Sequence, residues 1–170
     1  MPFNPDIHKR KSIRLRGYDY SQNGAYFVTI CTHNRECLFG NIANGKMQLN
    51  DTGKTIERVW NELPNHYANI KLDQSIIMPN HLHGIVVIGR GEACLAPTLG
   101  NIIGSFKSAA TKQINIMRNH PGQKLWQRNY YEHIIRNEVD LNRVQQYINS
   151  NPLTWDLDSL HPNNVGGEHD

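Results

Sequence analysis

The sequence predicts an α+β domain with a largely antiparallel sheet and helices packed mainly on one face. Short runs rich in β-branched and aromatic residues alternate with stretches whose apolar residues recur at helical spacing. The predicted element order is β-(β)-α-β-β-α-β-α, which favours this architecture. The 170 residues suit one domain with its own core.

The first half of the chain supplies three strand segments and one helix. Residues 26–32 predict a strand, and residues 37–39 and 46–49 predict two further pieces that pair around the Asn44-Gly45 turn. Asp51 or Thr52 is the expected cap of a helix that ends at Pro64. The apolar residues at helical spacing in that helix are Ile56, Val59, Trp60 and Leu63.

The second half supplies the remaining strands and two longer helices. Residues 74–78 and 81–88 predict two strands joined at Pro79-Asn80, followed by a loop over 89–97. A helix over 99–117 carries the apolar stripe Ile103, Phe106, Ala110 and Ile114. A short strand over 130–135 precedes a helix over 138–151, whose expected inward residues are Leu141, Val144 and Ile148.

Charge is distributed unevenly along the chain, although its net value is only +3. Residues 1–20 are basic, residues 93–131 hold five bases and no acid, and residues 156–170 hold four acids and no Lys or Arg. We expect a flexible basic arm over 1–12, a folded domain over 13–155 and an acidic tail over 156–170. Two basic segments suit a polyanion bound on one face, and ordinary solvated surface charge is the alternative.

Cysteine content and hydropathy predict a soluble cytoplasmic protein. Cys31, Cys37 and Cys94 are too few and too scattered for a disulfide framework, which indicates a reducing compartment. The longest apolar run, residues 85–88, is far short of the ~20 residues that a membrane span needs. Cys31, His33 and Cys37 have no fourth ligand nearby, so we do not expect a structural zinc there.

The segment Met-Pro-Asn-His-Leu-His-Gly at residues 78–84 carries the clearest chemical signal. On a strand, side chains alternate between faces, so His81 and His83 point the same way and Leu82 points into the other layer. Two neutral imidazoles one pleat apart can bind one divalent cation. The alternative is a pair of histidines with ordinary hydrogen bonds.

Tyr147 and Asn151 stand four residues apart near the end of the last predicted helix, hence on one face. The tyrosine offers an oxygen nucleophile, and the asparagine offers an amide oxygen suited to a hard cation. Taken alone, Tyr147 could equally be a packing residue and Asn151 a helix-ending residue. Tyr130 and Tyr131 are alternative nucleophiles.

Taken together, these segments resemble the single-tyrosine HUH transposase family, and its REP-associated tyrosine transposase branch in particular. The resemblance spans residues 13–155, and its most specific parts are residues 79–84, 126–136 and 147–152. Residues 10–20 also resemble one subgroup. The family fold is similar to the ferredoxin or RNA-recognition layout, which agrees with the predicted element order.

The resemblance implies a role for each site residue. His81 and His83 match the family's metal-binding pair, Tyr147 matches its catalytic tyrosine, and Asn151 stands where relatives place an amide ligand, often Gln. Trp126, Gln127, His133 and Arg136 match a shared segment to which we assign no individual roles. The implied cofactor is a divalent metal ion, Mg²⁺ or Mn²⁺. The implied reaction cleaves and rejoins single-stranded DNA through a 5′-phosphotyrosine link and a free 3′-hydroxyl.

The expected partner is single-stranded DNA that contains a hairpin, so the protein would be nucleoid-associated when bound. We expect seven basic residues to contact the DNA: Arg14, Arg16, Lys107, Lys112, Arg118, Arg128 and Arg136. A hairpin DNA- or RNA-binding protein without cleavage activity is one alternative, and a metal hydrolase that uses activated water is another. Both a monomer and a homodimer that shares the tyrosine helix remain open.

Overall fold

The computed structural model describes residues 23–89 and 96–164. The strands are β1 Gly24–Cys31, β2 Gly40–Ala43, β3 Lys46–Leu49, β4 Ile70–Met78, β5 His81–Ile88 and β6 Tyr131–Ile135. The helices are α1 Asp51–Asn61, α2 Leu63–His66, α3 Leu99–Arg118 and α4 Glu138–Ser150, and a 3₁₀ segment, Asn151–Leu157, follows α4. Four strands form one sheet in the order β4-β5-β1-β6 with every pair antiparallel, and β2 and β3 form a separate hairpin.

The two faces of the sheet have different partners because side chains alternate along each strand. On one face, residues such as Val28 and Leu82 join the main core with Trp60 of α1 and Phe106 of α3. On the other face, a smaller cluster comprises Phe27, Ile85, Val144 and Ile148, which bury α4 against the sheet. The predicted α+β class is confirmed, with α1 and α3 on one face and α4 on the other.

Gly84 allows α1 to approach the sheet closely. A Cβ atom at this position would lie 2.4 Å from Cζ2 of Trp60. The Trp60 ring in turn meets Phe106 edge-to-face, with 5.2 Å between ring centroids. Gly84 directly follows His83 on β5, and the His83 side chain points to the opposite face of the sheet. The packing of Trp60 against Gly84 therefore supports from behind the strand that carries the two histidines.

Three local predictions ahead of β4 were wrong. The cap of α1 is Asn50, whose side chain accepts a hydrogen bond from the Gly53 amide at 2.9 Å. Residues 37–39 are not a strand, because the Phe39 amide donates to the Pro79 carbonyl and the Phe39 carbonyl accepts from the Asn50 amide. Helix α1 ends at Asn61, so Leu63 and Pro64 belong to the short α2.

Strand β4 begins at Ile70, four residues earlier than predicted. Its pairing with β5 is irregular between Leu72 and Ser75, and charged residues in this stretch hide the apolar alternation. Strand β5 has the bounds that the sequence predicted. No helix within residues 23–89 and 96–164 is long and apolar enough to cross a membrane.

Helix α4 is held at several points along its length. Asn137 caps its first turn by accepting a hydrogen bond from the Asp140 amide. Asp140 pairs with His133 of β6, with 2.8 Å between Oδ2 and Nε2. Further along, the Gln145 side chain donates to Asp73 of β4 at 2.7 Å. These contacts fix the orientation of the helix that carries Tyr147.

Candidate active site

His81 and His83 lie side by side on the sheet face that α4 covers. They are 0% and 2% exposed, and their Nε2 atoms are 3.1 Å apart. Leu82 points into the main core on the opposite face, as the alternation predicted. The structure therefore brings the two imidazoles together at one point beneath the helix.

In each imidazole Nδ1, the ring nitrogen that does not face the other histidine, has its own hydrogen-bond partner. His83 Nδ1 lies 2.8 Å from Thr29 Oγ1 on the neighbouring strand, and His81 Nδ1 lies 2.8 Å from Asn80 Oδ1. The Asn80 amide nitrogen donates to the carbonyls of Arg35 and Leu160, so its oxygen is the acceptor that faces His81. In the neutral ring His81 Nδ1 therefore carries the proton, and its Nε2 presents a lone pair.

Asp158 joins the two histidines from the segment that follows α4. Its Oδ2 lies 3.8 Å from His81 Nε2, and the side chain is 5% exposed. One donor atom from each of His81, His83 and Asp158 lies within 4.8 Å of the other two. Asp158 is not among the predicted site residues, because no site role was expected for the acidic segment beyond residue 155.

Burial keeps both imidazoles neutral. It lowers the pKa of His81 to about 4, although the Asp158 carboxylate and the Asn151 side chain oppose the shift. Burial also holds the pKa of His83 well below its usual value, and the neighbouring His81 acts in the same direction. Both rings therefore have a nitrogen lone pair available near neutral pH, which is the form that binds metal.

Tyr147 stands next to His83 at the rim of the site. Its ring centroid lies 5.2 Å from that of His83 and 6.0 Å from that of Phe27, which itself stacks on His83. The side chain is 46% exposed, so the phenol is accessible from solvent. Partial burial is the main cause that raises the pKa of this phenol above its ordinary value, and the negative charge of Asp158 adds to the shift.

Asn151 lies one helical turn beyond Tyr147, where the 3₁₀ segment begins. It is 2% exposed, and its Oδ1 has no hydrogen-bond partner among the described residues. The structure therefore brings this predicted ligand into the same buried region as His81, with an oxygen available. Whether that oxygen binds a cation stays a prediction.

An open cleft of about 570 Å³ gives access to His83 and Tyr147. Its walls include Phe27, Thr29, His83, Tyr130, Tyr131 and Tyr147. Tyr131 is half-exposed and borders the cleft, so it stays an alternative nucleophile, whereas Tyr130 is buried.

A second cleft of about 860 Å³ adjoins the first and is basic. Gln127 lines both clefts. The cationic or potentially cationic residues that line the second cleft are His33, Arg35, Lys124 and Arg128. Together the two clefts form one surface that runs from the phenol of Tyr147 to the basic residues of the second cleft.

The basic residues predicted to contact DNA are not all placed together. Lys107 donates to the carbonyls of Gln127 and Asn129 and so supports the strip between the two clefts. Lys112 is exposed and lies about 140° around α3 from Lys107, at 3.6 residues per turn. Arg118, Arg128 and Arg136 are exposed. Arg14 and Arg16 lie outside the described residues, as does Cys94.

The arrangement fits a divalent cation. Two imidazole nitrogens and a carboxylate oxygen converge, and buried oxygens of Asp158 and Asn151 have no hydrogen-bond partner among residues 23–89 and 96–164. Cis ligands of an octahedral ion bound at about 2.1 Å lie roughly 3.0 Å apart, close to the observed separation of the two Nε2 atoms. Within the same residues, Cys31, His33 and Cys37 form no such cluster.

Comparison with known proteins identifies the family. The model of the family described as "Transposase IS200 like" matches residues 21–151. A protein of Haemophilus influenzae described as uncharacterized is 40% identical over 176 residues, which cover 94% of this chain and 97% of its own. Another H. influenzae protein, provisionally named a REP-associated tyrosine transposase, is 24% identical over 156 residues, covering 84% and 83% of the two chains.

Two solved structures share the fold. The structure of a REP-associated tyrosine transposase bound to a REP hairpin superposes with a TM-score of 0.56 at 19% identity, covering 92% of this chain and 93% of its own. A protein of Deinococcus radiodurans, provisionally described as a transposase, gives a TM-score of 0.51 at 17% identity, covering 81% and 96%. The predicted resemblance to single-tyrosine transposases is thus confirmed, and the chain belongs to the IS200-like transposase family.

Proposed function

We propose that this transposase cleaves and rejoins hairpin-containing single-stranded DNA through a covalent 5′-phosphotyrosine link to Tyr147. One observation carries the proposal. The accessible phenol of Tyr147 stands beside His83 in one cleft, and the neutral His83 imidazole contacts the neutral, fully buried His81 behind it. A nucleophile next to a cation-binding group is the arrangement that phosphoryl transfer requires.

The chemistry assigned to Tyr147 is an in-line displacement at a phosphodiester. The phenol oxygen forms a bond to phosphorus, the bond from phosphorus to the 3′-oxygen breaks, and the leaving 3′-oxygen takes up a proton. The phenol must lose its proton during attack, and its raised pKa makes an activating group necessary. The phosphotyrosine keeps the energy of the ester bond, so another 3′-hydroxyl can reverse the step without ATP.

His81 and His83 are the proposed holders of the divalent cation, and Asn151 at the end of α4 is the candidate oxygen donor that the resemblance to the family implies. Mg²⁺ or Mn²⁺ bound there would polarise and orient the scissile phosphate. Thr29 and Asn80 bind Nδ1 of the two imidazoles and keep their Nε2 atoms directed at the same point. Phe27 stacks against His83 and limits the motion of its ring.

The proposed partner is a DNA hairpin with an unpaired flank. The relative that was solved with a REP hairpin shares this fold, and the basic cleft lies directly beside the cleft of Tyr147. Cationic side chains there can follow the phosphates of a single strand. Because Tyr147 and both histidines meet within one chain, we propose that each subunit cleaves with its own tyrosine, whether it is a monomer or part of a homodimer.

The decisive experiment is a search for a covalent adduct. The protein is incubated with Mn²⁺ or Mg²⁺ and a library of hairpins that carry randomised single-stranded flanks and a 3′ label. We expect a labelled adduct that survives SDS, because the fragment on the 3′ side of the cut stays attached to the protein. Sequencing the attached fragments would identify the target.

Two matched variants decide between the alternatives. Tyr147→Phe should abolish the adduct without weakening hairpin binding, whereas Tyr131→Phe should retain it. Binding without any adduct or cleavage by the wild type would support a hairpin-binding protein instead. Cleavage without an adduct, and unchanged in Tyr147→Phe, would show a metal hydrolase that activates water.

A further inference from the structure

We propose that Asp158 is the third protein ligand of the divalent cation, completing the site with a carboxylate supplied by the segment after α4. This inference deepens the proposed function and rests on it. The match to the transposase family ends at residue 151, so the family comparison says nothing about this residue.

The Asp158 carboxylate is held in place by its own segment. Its Oδ1 accepts a hydrogen bond from the Leu160 amide at 2.8 Å. The Asp158 amide donates to the Trp155 carbonyl, and the Asp158 carbonyl accepts from the His161 amide, both at 3.0 Å. This anchoring leaves only Oδ2 free to face His81, so the carboxylate is oriented toward the imidazoles before any ligand arrives.

The segment itself is fixed to the strand turn that carries the histidines. Asn80, which precedes His81, donates to the Leu160 carbonyl at 2.8 Å. The Trp155 ring lies between His81 and His161, with centroid distances of 5.9 and 4.7 Å. The residue that orients His81 through its Nδ1 therefore also ties down the chain that supplies Asp158.

Asp158 Oδ2 lacks the hydrogen-bond donor that a buried carboxylate oxygen usually has. The atom is buried, and it has no hydrogen-bond partner among the described residues. The atom that it faces, His81 Nε2 at 3.8 Å, presents a lone pair because Asn80 takes the proton of the ring. Two acceptors directed at each other in a buried site repel, and a buried unpaired carboxylate is costly. A cation between them removes both penalties.

Charge favours Asp158 over Asn151 as the third ligand. Both residues place an oxygen without a hydrogen-bond partner near the histidines. Two neutral imidazoles and a neutral amide would leave the full charge of the ion unbalanced, whereas a carboxylate neutralises half of it. Hard divalent ions prefer carboxylate oxygens, and three protein ligands leave coordination positions for a phosphate.

Mn²⁺ binding to the purified full-length protein, without DNA, tests the inference. The loss of the paramagnetic resonance signal of free Mn²⁺ gives the affinity for the wild type, Asp158→Asn, Asn151→Ser and the exposed control Asp156→Asn. We expect Asp158→Asn to weaken binding on the order of tenfold or more, since outer-shell changes alone cost 10–100-fold. Asp156→Asn should stay within about twofold of the wild type.

Thermal unfolding separates ligation from a structural role. Asparagine can keep the hydrogen bond from Leu160, so metal-free Asp158→Asn should melt at or above the wild-type temperature but gain less from added Mn²⁺. Unchanged Mn²⁺ affinity in Asp158→Asn, or a loss confined to Asn151→Ser, would overturn the inference. The adduct assay with Tyr147→Phe would then still decide the proposed function, because it does not depend on which oxygen binds the metal.

Discussion

Thr29 on β1 and His83 on β5 are cross-strand partners, and their side chains meet with 2.8 Å between Thr29 Oγ1 and His83 Nδ1. The contact is buried and joins residues 54 positions apart in the sequence. This contact holds the His83 imidazole through Nδ1 and leaves its Nε2 directed at His81. The central pair of strands, more than the histidine motif alone, therefore determines where the candidate metal site lies.

Removing this contact should weaken metal binding without unfolding the protein. Thr29→Val keeps the shape of the side chain but removes the hydroxyl, so His83 loses the partner that orients its ring. We expect Mn²⁺ affinity to fall about 10–100-fold, as for other partners of metal-bound histidines. Calorimetric titration measures this, with Thr55→Val of α1, a partly exposed residue, as control. Equal affinities for the two variants would contradict the positioning role.

The metal-free protein should lose stability as the pH falls below about 6.5. The pKa of His81 is lowered to about 4 by burial, and that of His83 is also well below its usual value, whereas histidines in the unfolded chain titrate near 6.5. The unfolded state therefore binds more protons in this range. The stability that the two neutral imidazoles contribute is fully present above about pH 7. His81 alone would account for a loss of about 2 kcal/mol of the free energy of unfolding by pH 5.

Urea unfolding in EDTA at pH 8, 7, 6 and 5 checks this expectation. Other groups contribute to the profile, so His83→Gln serves as the reference and should show a shallower dependence on pH between 7 and 5. The same dependence on pH in the wild type and in His83→Gln would show that burial does not hold the His83 imidazole neutral.

Gly84 should tolerate no side chain. A Cβ atom there would overlap the Trp60 ring at 2.4 Å, so Gly84→Ala should cost about 1–3 kcal/mol of the free energy of unfolding. The control is Gly104→Ala in α3, where no atom lies within 4 Å of an added Cβ. That change should stabilise the protein by about 0.5–1 kcal/mol, since alanine is the better helix former. Chemical denaturation measures both, and a neutral Gly84→Ala would refute the close packing.

Arg128 should contribute to DNA binding through the phosphates. It is exposed and lines the basic cleft beside the candidate active site. Arg128→Gln should weaken hairpin binding for every sequence and reduce the slope of log affinity against log salt by about 1. Fluorescence anisotropy at several salt concentrations provides the measurement. Lys54→Gln in α1, on the far side of the sheet, should leave the slope unchanged; a loss of equal size there would point to general charge attraction.

Much of the site was predictable because its signals are local. The His81/His83 pair depends on alternation along a single strand, and the bounds of β5 follow from the Pro79-Asn80 turn before it and the apolar run that ends at Ile88. The relation of Tyr147 to Asn151 depends only on helical spacing. By contrast, the predicted cap of α1, Asp51 or Thr52, lay one or two residues too late, because several neighbouring polar residues could cap equally well and only the backbone conformation selects Asn50.

Local patterns in the amino-acid sequence were enough to predict the order of the elements, the two histidines on one face of a strand, the tyrosine on the last helix and the family. Folding decided that α4 covers the second face of the sheet, that Thr29 holds the His83 imidazole, and that Asp158 faces His81. The reason is physical. Periodicity along one strand or helix is written in neighbouring residues, whereas a buried contact between polar groups more than 50 positions apart leaves no repeating trace.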